Sequence, residues 1–74
     1  MNEYHLYIRD SGGAEATAPL GSDEKIARRL MGEILMSFRS LGFHLSPEYF
    51  GPDTWVATED NEHTVIQLLT VSAN

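Results

Sequence analysis

Three histidines, His5, His44 and His63, and eleven acidic residues are the side chains of this 74-residue chain that could do chemistry. Their spacing argues against it. No two histidines stand as His-x-His or four apart on a helix, the arrangements that bring two imidazoles to one cation. A site gathered in space from His44, His63 and Glu62 is the remaining metal candidate, and histidines on strands are more often surface residues. Paired carboxylates need a cleft that raises one of the two pKa values, which a domain this small rarely encloses. Cysteine is absent, which removes thiolate nucleophiles, thiolate metal sites and disulfides together. Gly12-Gly13 lacks both the Lys-Ser/Thr of a phosphate loop and the spacing of a dinucleotide fingerprint. Serine, histidine and aspartate are all present, but a triad is defined by geometry and nothing in the linear order assembles one. The chain is therefore read as a non-enzyme, with no catalytic residue, no metal ligand set and no cofactor.

Charge is more informative. The net charge is −6, and an acidic surface repels phosphate backbones and anionic membranes. Nucleic acid and membranes are disfavoured as partners, and basic surfaces are favoured. Yet four of the five basic residues, Lys25, Arg28, Arg29 and Arg39, fall within a helical sector of roughly 100°. Gly32 and Met36 share that sector. Arg29 and Glu33 are spaced for a local ion pair worth ~0.3 kcal/mol. The densest acidic patch is Glu59, Asp60 and Glu62, in a polar turn. Each set is a candidate protein-binding surface, and each is also what a solvated helix face or turn looks like.

These residues must be positioned by few elements. Seventy-four residues support one domain, spanning 1–74, with a thin core that self-association or a partner can supplement. Glu3 to Arg9 alternates as a strand, with Tyr4, Leu6 and Ile8 on one face and His5, Tyr7 and Arg9 on the other. Asp10-Ser11-Gly12-Gly13 is a turn. Ala14 to Gly21, poor in strand formers and carrying Pro19, reads as a mobile loop or at most a short edge strand. Ser22 or Asp23 can cap a helix whose apolar stripe is Ile26, Ala27, Leu30, Met31, Ile34, Leu35, Phe38 and Leu41, with Gly42 as its stop. Further strands are expected at Phe43–Ser46, extending towards Phe50, at Thr54–Thr58 and at His63–Val71. Gly51-Pro52-Asp53 and Glu59–Glu62 are turns, and Ser72–Asn74 a frayed end. The fold class is α+β: one amphipathic helix on one face of a mainly antiparallel sheet of three to four strands, in the order β-α-β-β-β.

One helix covers one face of such a sheet. The last strand is apolar on both faces, with Val65, Leu69 and Val71 against Ile66 and Leu68, whereas a strand wetted on one side alternates. Uncovered apolar side chains mark interaction surfaces. His5, Tyr7, Ile66 and Leu68, with either Trp55 or Val56, are the expected set. Without disulfides, a signal-type amino terminus or a bilayer-length apolar run, a soluble cytoplasmic protein is expected. The function expected is a small acidic protein-binding module, of the inhibitor or immunity type, acting by surface complementarity. The alternatives are a homodimeric structural domain and a weak nucleic-acid binder using the basic helix face.

Overall fold

The computed structural model describes residues 1–47 and 53–72. The elements are β1 (Asn2–Asp10), β2 (Glu15–Gly21), α1 (Glu24–Ser40), β3 (His44–Pro47), β4 (Thr54–Glu59) and β5 (Glu62–Ser72). They build a five-stranded sheet in the order β2-β1-β5-β4-β3, with every neighbouring pair antiparallel. The α+β class is as expected. The strand count and chain order are corrected, from β-α-β-β-β with three to four strands to β-β-α-β-β-β with five.

The additional strand is β2, in the tract read as a mobile loop. Its pairing is set by the preceding turn. Asp10 Oδ1 accepts from the N–H groups of Gly12 (2.9 Å) and Ala14 (3.0 Å), and Gly13 takes a positive φ of 92°. The chain is thereby returned alongside β1. Pro19 is tolerated because an edge strand needs only one of its two rows of N–H groups for pairing. The register slips between Tyr4 and His5, where Tyr4 faces Gly21 and His5 faces Pro19, so Leu20 is the extra residue of a bulge.

The helix forms where expected, and its ends explain why. Asp23 caps it, accepting from Lys25 N–H (2.9 Å) and Ile26 N–H (3.3 Å). Glu24 in the first turn and Arg39 in the last complement the helix dipole. Gly42, with φ 99°, permits a Schellman stop: Gly42 N–H donates to Arg39 C=O and Phe43 N–H to Phe38 C=O, both at 3.1 Å. The accompanying hydrophobic contact is the edge-to-face pair of Phe38 and Phe43, whose centroids are 5.2 Å apart.

The single crossover fixes the layer arrangement. All other connections between sequential strands join hydrogen-bonded neighbours, whereas α1 carries the chain from the β2 edge to the β3 edge. Seventeen helical residues span ~25 Å, and four strand gaps take ~19 Å. The helix therefore reaches from edge to edge across one face. Beneath it lie Tyr4, Ala57, Ile66 and Leu68, which with Ala27 and Met31 of the helix form the buried core. Ile26 and Leu41, expected in the apolar stripe, are 44% and 71% exposed. Ile26 stands at the edge of the stripe, and Leu41 is the C-cap, past the last helical residue. The expected extension of β3 to Phe50, the Gly51-Pro52 part of the next turn, and Ala73 and Asn74 lie outside the described residues.

Candidate functional site

The face opposite the helix is the principal candidate surface. Side chains directly paired across strands share a face, so the register can be read in rows. One row is Glu15, Arg9, Val65, Val56 and Ser46; the next is Thr17, Tyr7, Gln67 and Thr54; then Pro19, His5 and Leu69; then Glu3 and Val71. Tyr7, Val56, Val65 and Leu69 are half-buried by their neighbours, and Val71 is 46% exposed. No described element packs over them.

This register corrects the expected membership of the surface. His5 and Tyr7 lie on the open face. Ile66 and Leu68 do not: Ile8 pairs with Ile66 and Leu6 with Leu68, which turns both under the helix at 0% and 4% exposure. Trp55 pairs with Ile66 and lines a recess with Arg28, Met31, Leu35 and Leu68, so it too belongs to the helix side. Val56, the other choice at that position, faces outward with Val65. The missed residues are Val65, Leu69 and Val71, which the alternation placed together but could not assign to a side. A signal existed in the tight turn at Asp60-Asn61. A two-residue hairpin loop there sets Glu59 against Glu62, and the register follows to Trp55 against Ile66.

The four basic helix residues do not act as one set. Arg28 is a structural pin. Its Nη1 and Nη2 donate to the two carboxylate oxygens of Asp53 at 2.8 and 3.3 Å, and Nε donates to Glu24 at 3.1 Å. Hydrogen bonds to Asp53, then to Glu24, raise the Arg28 pKa above its ordinary value, so the guanidinium stays charged at any neutral or acid pH. Asp53 sits at φ 55°, a left-handed conformation that aspartate tolerates better than most residues. Its carbonyl accepts from Leu68 N–H at 3.0 Å. Arg28 thus ties the helix to the start of β4 and, through Asp53, to β5. The expected Arg29–Glu33 pair does not close; Glu24–Arg28 does. Acid before base at four-residue spacing is the better order along a helix dipole.

Lys25, Arg29 and Arg39 remain exposed and form no ion pair among the described residues. Beside Arg29 and Glu33, the small residues Gly32, Ser37 and Ser40 leave a shallow trough on the outer helix face, flanked by Met36 at 57% exposure and Leu41 at 71%. Apart from its chain neighbours and the helix's own backbone, no atom stands within 4 Å of where a Cβ on Gly32 would sit. This is a second surface, with one base and one acid in its lining and with Lys25 and Arg39 outside it on the same helix.

Glu59, Asp60 and Glu62 are exposed at the β4–β5 hairpin, with Asp60 at φ 52°. Their positions are those the turn needs, and no basic group of the described chain meets them. His44 and His63 flank Thr58 in one row of the open face. Glu62 falls on the opposite side of the sheet, so the three do not converge. Among the described residues no three metal-ligating side chains come together. No helix there is long and apolar enough to cross a membrane. Comparison of the chain with protein-family models, with curated proteins and with solved structures finds no match.

Proposed function

We propose that the chain is a protein-binding module that acts by surface complementarity through the open face of its sheet. The observation that supports this reading is the one-sided cover. Among the described residues, the crossover through α1 runs over the face bearing Ile66 and Leu68, and Tyr7, Val56, Val65, Leu69 and Val71 are left outward on the other. A wetted antiparallel sheet face is usually polar. This one has an apolar band with a rim of Glu3, Arg9 and Glu15, the anatomy of a recognition surface with an apolar centre and a charged border.

The test is the double variant Tyr7→Ala with Leu69→Asp. Both positions face away from the core, so the circular dichroism spectrum stays native while association is lost. A double variant that keeps its spectrum and still binds whatever the wild-type chain binds removes the open face from consideration.

A second reading rests on the basic strip of the helix. Residues Glu24–Ser40 carry four bases against two acids, while the remaining residues carry one base against nine acids. Lys25, Arg29 and Arg39 around Met36 suit a carboxylate-rich partner. Weak nucleic-acid binding would use the same strip, and a shift with duplex or single-stranded probes that falls as salt is added would identify it. Lys25→Glu with Arg29→Glu tests this surface without touching Arg28, whose replacement would disturb the fold.

A further inference from the structure

The geometry points to a second copy of this chain as the occupant of the open sheet face, seated about a two-fold axis that crosses β1 at Leu6 and β5 at Leu68. This inference rests on the reading of that face as a binding surface and names its partner.

Two observations support it. The first is the amount of bare surface. A folded monomer of 8.3 kDa typically exposes about 4,600 Å². This chain exposes 5211 Å², an excess of roughly 600 Å² over that expectation. A standard interface takes about 800 Å² from each partner, so a surface in excess of that of a compact monomer leaves room for one such contact.

The second is the self-complementary order of side chains on the two central strands. Leu6 and Leu68 are register partners. On the open face of β1, Glu3 and Arg9 lie equal distances either side of Leu6, and His5 and Tyr7 lie either side at one residue. On β5, Val65 and Val71 lie equal distances either side of Leu68. An axis running across the strands through this row, midway between two stacked copies, exchanges these positions. Glu3 of one copy then meets Arg9 of the other, His5 meets Tyr7, and Val65 meets Val71. The less matched exchange is Gln67 with Leu69. Every contact occurs twice, as a closed isologous interface requires. Strands of the two copies run antiparallel within the aligned class of sheet packing. Glutamate and arginine side chains together span the ~10 Å between stacked sheets.

Both charges reach solvent, and the neighbour of Glu3 is His5, whose Nε2 lies 3.8 Å from Glu3 Oε2 and forms an ion pair with it only when protonated. Glu3 and Arg9 are both exposed, and Arg9 forms no ion pair among the described residues even though Glu15 is its cross-strand neighbour. The net charge of −6 does not oppose the contact strongly, because among the described residues the carboxylate, lysine and arginine side chains of the open face are Glu3, Glu15 and Arg9. Its densest acidic cluster, at Glu59–Glu62, lies at the far end of the β4–β5 hairpin.

Sedimentation equilibrium of the full chain over a range of concentrations tests the inference, with charge reversals at the two positions. Wild-type chain dimerises. Glu3→Arg places two arginines face to face at both symmetric sites, and Arg9→Glu does the same with two glutamates, so each weakens self-association about tenfold. Mixing the two variants restores association, because Glu3→Arg chains meet Arg9→Glu chains with both pairs intact. That rescue does not depend on how either substitution affects folding alone. Dimers indifferent to either reversal, or a mixture that associates no better than its components, overturn the arrangement. A wild-type chain that stays monomeric at several hundred micromolar overturns it too. If Tyr7→Ala with Leu69→Asp still abolishes binding to another protein in that case, the binding face stands and only its occupant is wrong.

Discussion

Leu68 and Leu69 are adjacent, identical in chemistry and on opposite faces, so they test the assignment of the faces directly. Leu68 is 4% exposed and lies against Met31, Leu35 and Trp55. Truncating a leucine so placed costs ~2–5 kcal/mol, the spread reflecting how far the site can collapse. A chain of this length has a total stability of about 4–11 kcal/mol. Leu68→Ala therefore removes a large fraction of it, and Leu68→Asp, which leaves a carboxylate under the helix with no partner, unfolds the chain. Leu69 is half-buried with no described element above it. Leu69→Ala costs about 1 kcal/mol or less, and Leu69→Asp leaves its charge in water. Urea titration read by the fluorescence of Trp55, on the Leu68 side of the sheet, measures both. It should be run at micromolar protein or below, so that self-association adds nothing. At a slope of about 1 kcal/mol/M, the Leu68→Ala midpoint falls by a few molar and the Leu69→Ala midpoint by one at most. Equal losses at the two positions, or a folded Leu68→Asp chain, would refute the register from which both candidate surfaces are drawn.

Three further outcomes follow from the local geometry. Asp23→Ala deletes the side-chain acceptor for two free helix N–H groups and lowers stability by about 1 kcal/mol, seen as a fall in the thermal midpoint. Gly42→Ala forces a side chain into the left-handed region that the Schellman stop occupies, costing about 1–2 kcal/mol; a neutral result would show that the helix ends some other way. Arg28→Ala releases Asp53, and the Leu68 amide, which donates to the Asp53 carbonyl, exchanges with solvent faster than its β5 neighbours Ile66 and Thr70. Unchanged protection at Leu68 would mean that the turn holds its shape without the arginine.

The parts of the fold that were legible in the sequence are those fixed by local chemistry. The helix could be read because its stripe recurs at helical spacing and both ends carry their own signals, Asp23 at one and Gly42 at the other. The two outer limbs of the alternation, Tyr4-Leu6-Ile8 and Val65-Leu69-Val71, could be read as faces of strands. What could not be read was their pairing. β5 offers apolar side chains on both sides, so its own pattern is compatible with either orientation; the tight β4–β5 turn pairs Trp55 with Ile66, and the long-range match of Leu6 to Leu68 and Ile8 to Ile66 then aligns that side with the apolar face of β1. β2 was hidden for a different reason: Glu15–Gly21 has little strand propensity, and its conformation comes from the Asp10 turn and the neighbouring strand. The role of Arg28 was equally non-local, because the carboxylate that holds it lies 25 residues away in sequence.

The same topology links stability to recognition. Among the described residues six hydrophobic side chains are buried, and two of them are alanines, so the layer between helix and sheet is thin. A five-stranded antiparallel sheet with one crossover has only one face over which that crossover can run, and every apolar residue on the other face must be wetted or covered from outside the chain. Covering it adds a second layer to a domain that has one, which lowers the free energy of the folded state by an amount that grows with the logarithm of the partner's concentration once that exceeds the Kd. Binding and folding should therefore be coupled. The denaturation midpoint of the wild-type chain should rise with protein concentration if the occupant is a second copy, and should stay fixed until a partner is added if the occupant is another protein. Leu69→Asp abolishes the dependence in either case.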